Sequence, residues 1–217
     1  MGHRNSIEQA RLYLVLDVGE RFSAPQLSSV LDKGNWASAL LRGQNDRPLD
    51  VSIAKPVVAE LQRRGIAALV AGDVASVVAL KADGLHLSPS KAITERYHDA
   101  RQLLGPAAII GADAGRSRHD AMELGEGGAD YVAFGIPPYV GDRLTARERQ
   151  LDLIAWWSDI FEPPCVAIDV ETAEDAQALA RAGADFVGVT VASPGSAETL
   201  ATIKVFIDAV VQRHVIA

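Results

Sequence analysis

Three short segments of this chain resemble one another: Lys81-Ala82-Asp83-Gly84-Leu85-His86-Leu87, Gly128-Ala129-Asp130-Tyr131-Val132-Ala133-Phe134 and Gly183-Ala184-Asp185-Phe186-Val187-Gly188-Val189. Each reads as the end of a helix, an Ala-Asp turn and a short apolar strand. Upstream of each lies another apolar strand running into Asp73, Asp113 or Asp169, followed by a helical stretch. Strand, helix and strand with short connections form a βαβ unit, which requires parallel pairing and a right-handed crossover. A repeated βαβ unit leaves few architectures open, and a single α/β domain leads them.

The whole chain carries eight strand-like runs: 11–17, 36–42, 67–73, 84–87, 108–113, 131–135, 166–169 and 186–191. Helix-compatible sequence follows each. Most runs are nearly continuous in apolar residues, as strands covered on both faces are. Ser23 to Gln26 and Thr145 to Glu148 fit the capping box, and Ser117 and Thr172 fit N-caps. Ile203, Phe206, Ile207, Val210 and Val211 form one stripe on a final helix. Spread over eight units, 217 residues give about 27 each, the lean end for a (β/α)8 TIM barrel. No linker divides residues 1–217, so one barrel domain is expected. A doubly wound open sheet is the runner-up, because closure has no local signature.

Composition narrows the function. Lys+Arg number 21 against 28 Asp+Glu, a formal net charge of −7. A nucleic-acid binder needs a basic face from which counterions are released, and none is evident. No apolar run approaches the roughly 20 residues that span a bilayer, and the first residues lack a signal-peptide core. Cys165 is the only cysteine, which precludes an internal disulfide and suits a reducing cytoplasm. Cys165 opens its strand, where it is expected to be inert. A soluble, cytoplasmic protein acting on a small molecule is the expectation.

In a barrel of this kind, chemistry gathers at the C-terminal ends of the strands. Those ends supply Asp17, Arg42, Asp73, His86, Asp113, Gly135, Asp169 and the stretch from Thr190 to Ser193. Any one aspartate there can simply cap the next helix. Four of them with Arg42 and His86 suggest a site. His86 reads either as a hydrogen-bonded rim histidine or as a substrate contact and base. Asp73 with a second acid could hold a hard cation. Ser193-Pro194-Gly195-Ser196 offers amides and hydroxyls to a phosphate at a helix start, whereas Asp169-Val170-Glu171 would repel one. Arg143, Arg147 and Arg149 read as a solvated helix face. Of Trp156 and Trp157, one is expected to pack on the barrel and the other to face outward.

These blocks resemble thiamine-phosphate synthase and its relative, the thiazole tautomerase. The likeness runs through Leu12 to Asp17, Ala82 to Leu87, Gly128 to Gly135, Val166 to Ile168 and Ala182 to Asp185. The resemblance implies a homodimeric barrel that joins an aminopyrimidine diphosphate to a thiazole phosphate, with Mg2+ on the diphosphate. It would place Arg42 on the diphosphate, Asp73 on the metal, and Ser193 with the following amides of Gly195 and Ser196 on the thiazole phosphate. His86 and Gly135 would lie close by.

Other positions depart from that pattern. The family's Gln-Leu-Arg-Glu-Lys motif reads Leu40-Leu41-Arg42-Gly43-Gln44, and its Asn-Asp-Arg reads Gly72-Asp73-Val74. Lys91 stands at the second metal aspartate, Asp113-Ala114-Gly115 replaces Ser-Thr-His, and Asp169-Val170 replaces a glycine pair. Lys91 could stand beside Asp73 as a substitute cation. Three functions stay open: the coupling reaction, an altered reaction with Asp113 or Asp169 as acid or base, and a non-catalytic binder of a thiazole- or pyrimidine-type molecule.

Overall fold

The computed structural model describes residues 10–19, 22, 24–44, 47–137, 139–192, 194 and 196–211. Strands and helices alternate throughout: β1 (Arg11–Val18), α1 (Ala24–Leu31), β2 (Trp36–Gly43), α2 (Val51–Arg63), β3 (Ala67–Ala71), α3 (Val74–Leu80), β4 (Gly84–Leu87) and α4 (Ile93–Leu104) form the first half. The second comprises β5 (Ile109–Asp113), α5 (Arg118–Glu126), β6 (Tyr131–Phe134), α6 (Arg143–Ile160), β7 (Cys165–Ala167), α7 (Ala173–Arg181), β8 (Phe186–Val191) and α8 (Ala197–Val211). The strands pair in parallel in chain order and the ring closes, with β1 against β8 from Arg11↔Phe186 to Leu16↔Val191. The fold is a (β/α)8 barrel, and the open-sheet alternative is excluded.

The repeated aspartates explain why the Ala-Asp turn recurs. Asp83 Oδ2 accepts from the amide of Ala68 at 2.7 Å, while its own amide donates to the Ala68 carbonyl at 2.8 Å. Asp130 makes the same two-bond clasp with Ile110, and Asp185 with Cys165. Each clasp ties the entry of one strand to the entry of the strand before it, and supplies a partner to an amide that the ladder leaves unpaired. The repeat is therefore a fastening of the N-terminal end, away from the expected site. Cys165 lies there too, buried.

Alternation along the strands separates two cores. Leu12, Leu14 and Leu16 face the helices, whereas Tyr13, Val15, Leu40, Leu69, Tyr131, Ala133, Val166 and Ile168 fill the barrel interior. The same parity carries Asp17, Arg42, His86, Asp113 and Gly135 toward the barrel axis at its C-terminal end. In β5, Gly111 lies opposite Tyr131, whose ring occupies the space a Cβ would need, 1.9 Å from its Cζ.

Several boundaries differ from expectation. β3 ends at Ala71 and β7 at Ala167, so Asp73 and Asp169 follow their strands instead of closing them. α6 begins at Arg143 with Asp142 as its cap, one turn earlier than the Thr145 box suggests, because Asp142 Oδ1 accepts the Thr145 amide. Ser117 and Thr172 cap α5 and α7. Ser23 lies outside the described residues. Trp157 is buried, and its neighbour Trp156 is half-buried with the Arg118 guanidinium 4.7 Å from its ring centroid. Among the described residues no helix is long and apolar enough to cross a membrane.

Candidate functional site

Arg42 is the hub of the barrel mouth. Its Nε donates to Asp17 Oδ1 at 2.5 Å and its Nη1 to Asp169 Oδ1 at 2.9 Å. Burial opposes the guanidinium charge, but the two carboxylates more than offset it and push its pKa up. Asp169 reaches Arg42 through an uncommon backbone. Continued alternation would turn its side chain away from the axis; its φ of 57° redirects the carboxylate inward. That left-handed conformation costs an ordinary residue about 1–2 kcal/mol, and aspartate is among the few that adopt it.

Asp113 stands beside this group and is 3% exposed. Its Oδ1 accepts the amides of Gly115 at 2.7 Å and Gly135 at 3.1 Å. Its Oδ2 and Asp169 Oδ2 converge on Gly135, lying 2.5 and 2.9 Å from where a Cβ would stand. Gly135 therefore works by having no side chain. Burial, with the Asp169 charge adding to it, raises the Asp113 pKa to about 7 against the pull of the two amides and Arg42. A buried carboxyl that titrates near neutrality is suited to proton transfer.

His86 lies inside the barrel, 3% exposed, and shares a 2.8 Å hydrogen bond between Nδ1 and the Tyr131 hydroxyl. That hydroxyl in turn contacts the Tyr13 hydroxyl at 2.9 Å. Burial, helped by the Arg42 charge, holds the imidazole neutral with a pKa of about 3. The three rings form a polar strut across the interior, and neither tyrosine was expected from strand-end reasoning. Gly111, a glycine inside a strand, was the available signal. Gln150 was also unforeseen: it is buried in α6, and its Nε2 donates to the carbonyls of Phe134 at 2.7 Å and Ile168 at 2.8 Å, joining the ends of β6 and β7.

Elsewhere the expected residues separate. Asp73 caps α3, with Oδ1 accepting the amide and hydroxyl of Ser76, both at 2.8 Å. Lys91 makes no ion pair with it. Among the described residues no group of three or more His, Cys, Asp or Glu side chains is arranged to hold a metal ion. Ser193 and Gly195 lie outside the described residues, and Ser196 caps α8, its Oγ accepting the Thr199 amide at 3.0 Å. Arg143 and Arg147 are not a free solvated face: both pair with Glu171 from the segment after β7, and Arg147 Nε lies 3.3 Å from Asp175. A cavity of about 350 Å3 opens beside Asp113, between the segments that follow β4, β5 and β6. Two larger clefts, 690 and 750 Å3, lie at the opposite, N-terminal end. Arg63 and Arg64 in one of them are committed to Glu60 and Asp32.

Closed parallel strands with polar groups converging at their C-terminal ends define a (β/α)8 barrel, a fold whose chemistry gathers at that end. The chain belongs to the thiamine monophosphate synthase family, whose model matches residues 12–192. Thiamine-phosphate synthase of Erythrobacter litoralis is 37% identical over 186 residues, covering 83% of this chain and 86% of that protein. The Rhodospirillum centenum protein of the same name is 36% identical, covering 82% and 86%. Thiamine phosphate pyrophosphorylase from Pyrococcus furiosus shares the fold, with a TM-score of 0.72 at 21% identity over 95% of this chain and 98% of its own.

Proposed function

We propose that this family member is a repurposed barrel that binds a thiazole- or pyrimidine-type small molecule without a diphosphate group, and that it does not couple the two thiamine precursors. The observation that carries this reading is the clamp on Arg42. The guanidinium that would receive a diphosphate is held by Asp17 and Asp169, with Asp113 beside them. At an effective dielectric near 20, a phosphate charge about 4 Å from a carboxylate meets roughly 4 kcal/mol of repulsion. Several such contacts exceed what one already-paired arginine returns. A small heterocycle with hydrogen-bonding nitrogens meets no such barrier, and Asp113 or Asp169 can take or give a proton to it.

The second reading is the coupling reaction, favoured by relatives named thiamine-phosphate synthase that match most of their own length. Incubating the protein with both precursors and Mg2+ separates the two. The proposal expects no thiamine phosphate and no diphosphate release, together with a raised melting temperature in the presence of thiamine, the thiazole alcohol or the aminopyrimidine alcohol. Formation of thiamine phosphate at turnover rates overturns it.

A further inference from the structure

Resting on the reading of a small-molecule barrel, we infer that the 350 Å3 cavity beside Asp113 binds a small zwitterion, with its protonated nitrogen on Asp113 and its anionic tail on Lys91 and Arg116. All three residues line that cavity, and Asp120, Pro137 and Tyr139 are also on its wall. Its volume lies at the small end of the range for ligand pockets, about 300–1,000 Å3.

Partner accounting points to an external ligand. Arg42, Arg63, Arg64, Arg101, Arg143 and Arg147 are each committed to a carboxylate. Lys91 and Arg116 make no ion pair or hydrogen bond with any described residue, and they face the same cavity. On the cavity wall, Oδ1 of Asp113 is doubly satisfied while Oδ2 has no hydrogen-bond partner among the described residues, on a residue 3% exposed. That oxygen keeps a small solvent exposure on the cavity side, so it is free to accept from a donor bound there. Two cations face Asp120 and an Asp113 that a bound cationic nitrogen would hold ionised, which suits a zwitterion better than a polyanion or a simple cation. Tyr139, 82% exposed, gives a planar ring an aromatic surface on the wall.

The test uses the 15N-labelled full chain titrated with imidazole-4-acetate, with imidazole and acetate as separate probes. The reporters are the amides of Gly115 and Gly135, which donate to Asp113. The joined probe is expected to shift both signals and to saturate at about tenfold lower concentration than either fragment. Lys91→Ala with Arg116→Ala should raise its apparent Kd about tenfold, and Asp113→Asn should remove its advantage over acetate. Unchanged signals far from the cavity confirm that the variants fold. No shift at millimolar concentration, equal shifts with acetate alone, or indifference to the double variant overturns the inference. Such a result leaves the Arg42 clamp standing, whereas thiamine phosphate formation removes that reading without touching this titration.

Discussion

Asp169 holds a conformation that most side chains avoid, and its carboxylate lies on Arg42 because of it. Asp169→Gly would relax the backbone by about 1 kcal/mol and delete one ion pair of a half-buried arginine, a contribution of similar size and opposite sign. The melting temperature should therefore barely move. The Nη edge of Arg42 would open while Nε stays on Asp17, so pyrophosphate should bind the variant at least about tenfold more tightly than the wild type, measured by calorimetry. Equal affinities would show that the clamp is not what keeps polyanions out. The other residue-scale prediction concerns two buried titrating groups. Asp113 keeps its proton to about pH 7 in the fold, against an ordinary value of 3.8. The folded chain thus binds the extra proton between those values, and stability falls as pH rises through the window. His86 stays neutral down to about pH 3, against 6.5 for a free histidine. There the unfolded chain binds the extra proton, and stability falls as pH drops. From about pH 4 to 6.5 the two slopes oppose each other, leaving the wild type nearly flat. Asp113→Asn should expose a steep loss toward acid, and His86→Gln a loss toward neutrality, read by urea unfolding across pH. Parallel profiles for the two variants would contradict this assignment.

At the scale of the element, position at the strand ends made Asp17, Arg42, His86, Asp113 and Gly135 legible as one group, and the period of two explains why all five turn toward the axis. Asp169 was named with them as a strand end, but its strand stops at Ala167, and a single positive φ decides where its carboxylate goes. Asp73 was legible only as one of two roles, and the cap is the one the structure shows. The Ala-Asp repeat was visible, but its purpose depends on which amide each carboxylate meets across the ring. The tyrosine strut was hidden because it joins β1, β4 and β6, strands far apart in sequence. That strut makes Gly111 irreplaceable. Alanine ordinarily suits a strand better than glycine, yet here its methyl would enter the Tyr131 ring, whose hydroxyl is held by His86 and Tyr13. Gly111→Ala should lose about 1–3 kcal/mol in chemical denaturation, as overpacked cores do. Tyr131→Phe, which removes the hydroxyl and leaves the ring in place, should not rescue it.

For the molecule as a whole, ring closure is the property that no local stretch of sequence carries. It rests on β8 lying against β1, on the Arg11 amide donating to the Asp185 carbonyl at 2.8 Å, and on the Arg11 guanidinium 5.6 Å from the Phe186 ring centroid. A closed barrel has no edge strand; removing one strand creates two edges at once, each a row of unpaired amides and carbonyls. Removal of β8 and α8 would also uncover the face of β1 that Ile203, Phe206 and Val210 help to bury. A chain ending at Asp185 keeps seven of the eight strands and both carboxylates that clamp Arg42, so a merely additive scaffold would still hold most of its site. Closure predicts instead that this truncation loses its fixed packing altogether. Its near-UV circular dichroism should collapse and its gel-filtration profile should move to soluble aggregates while helical signal persists. A monomeric truncation with native near-UV signal would mean that the open seven-stranded sheet is self-sufficient, and that the barrel's mouth is built on strand order alone.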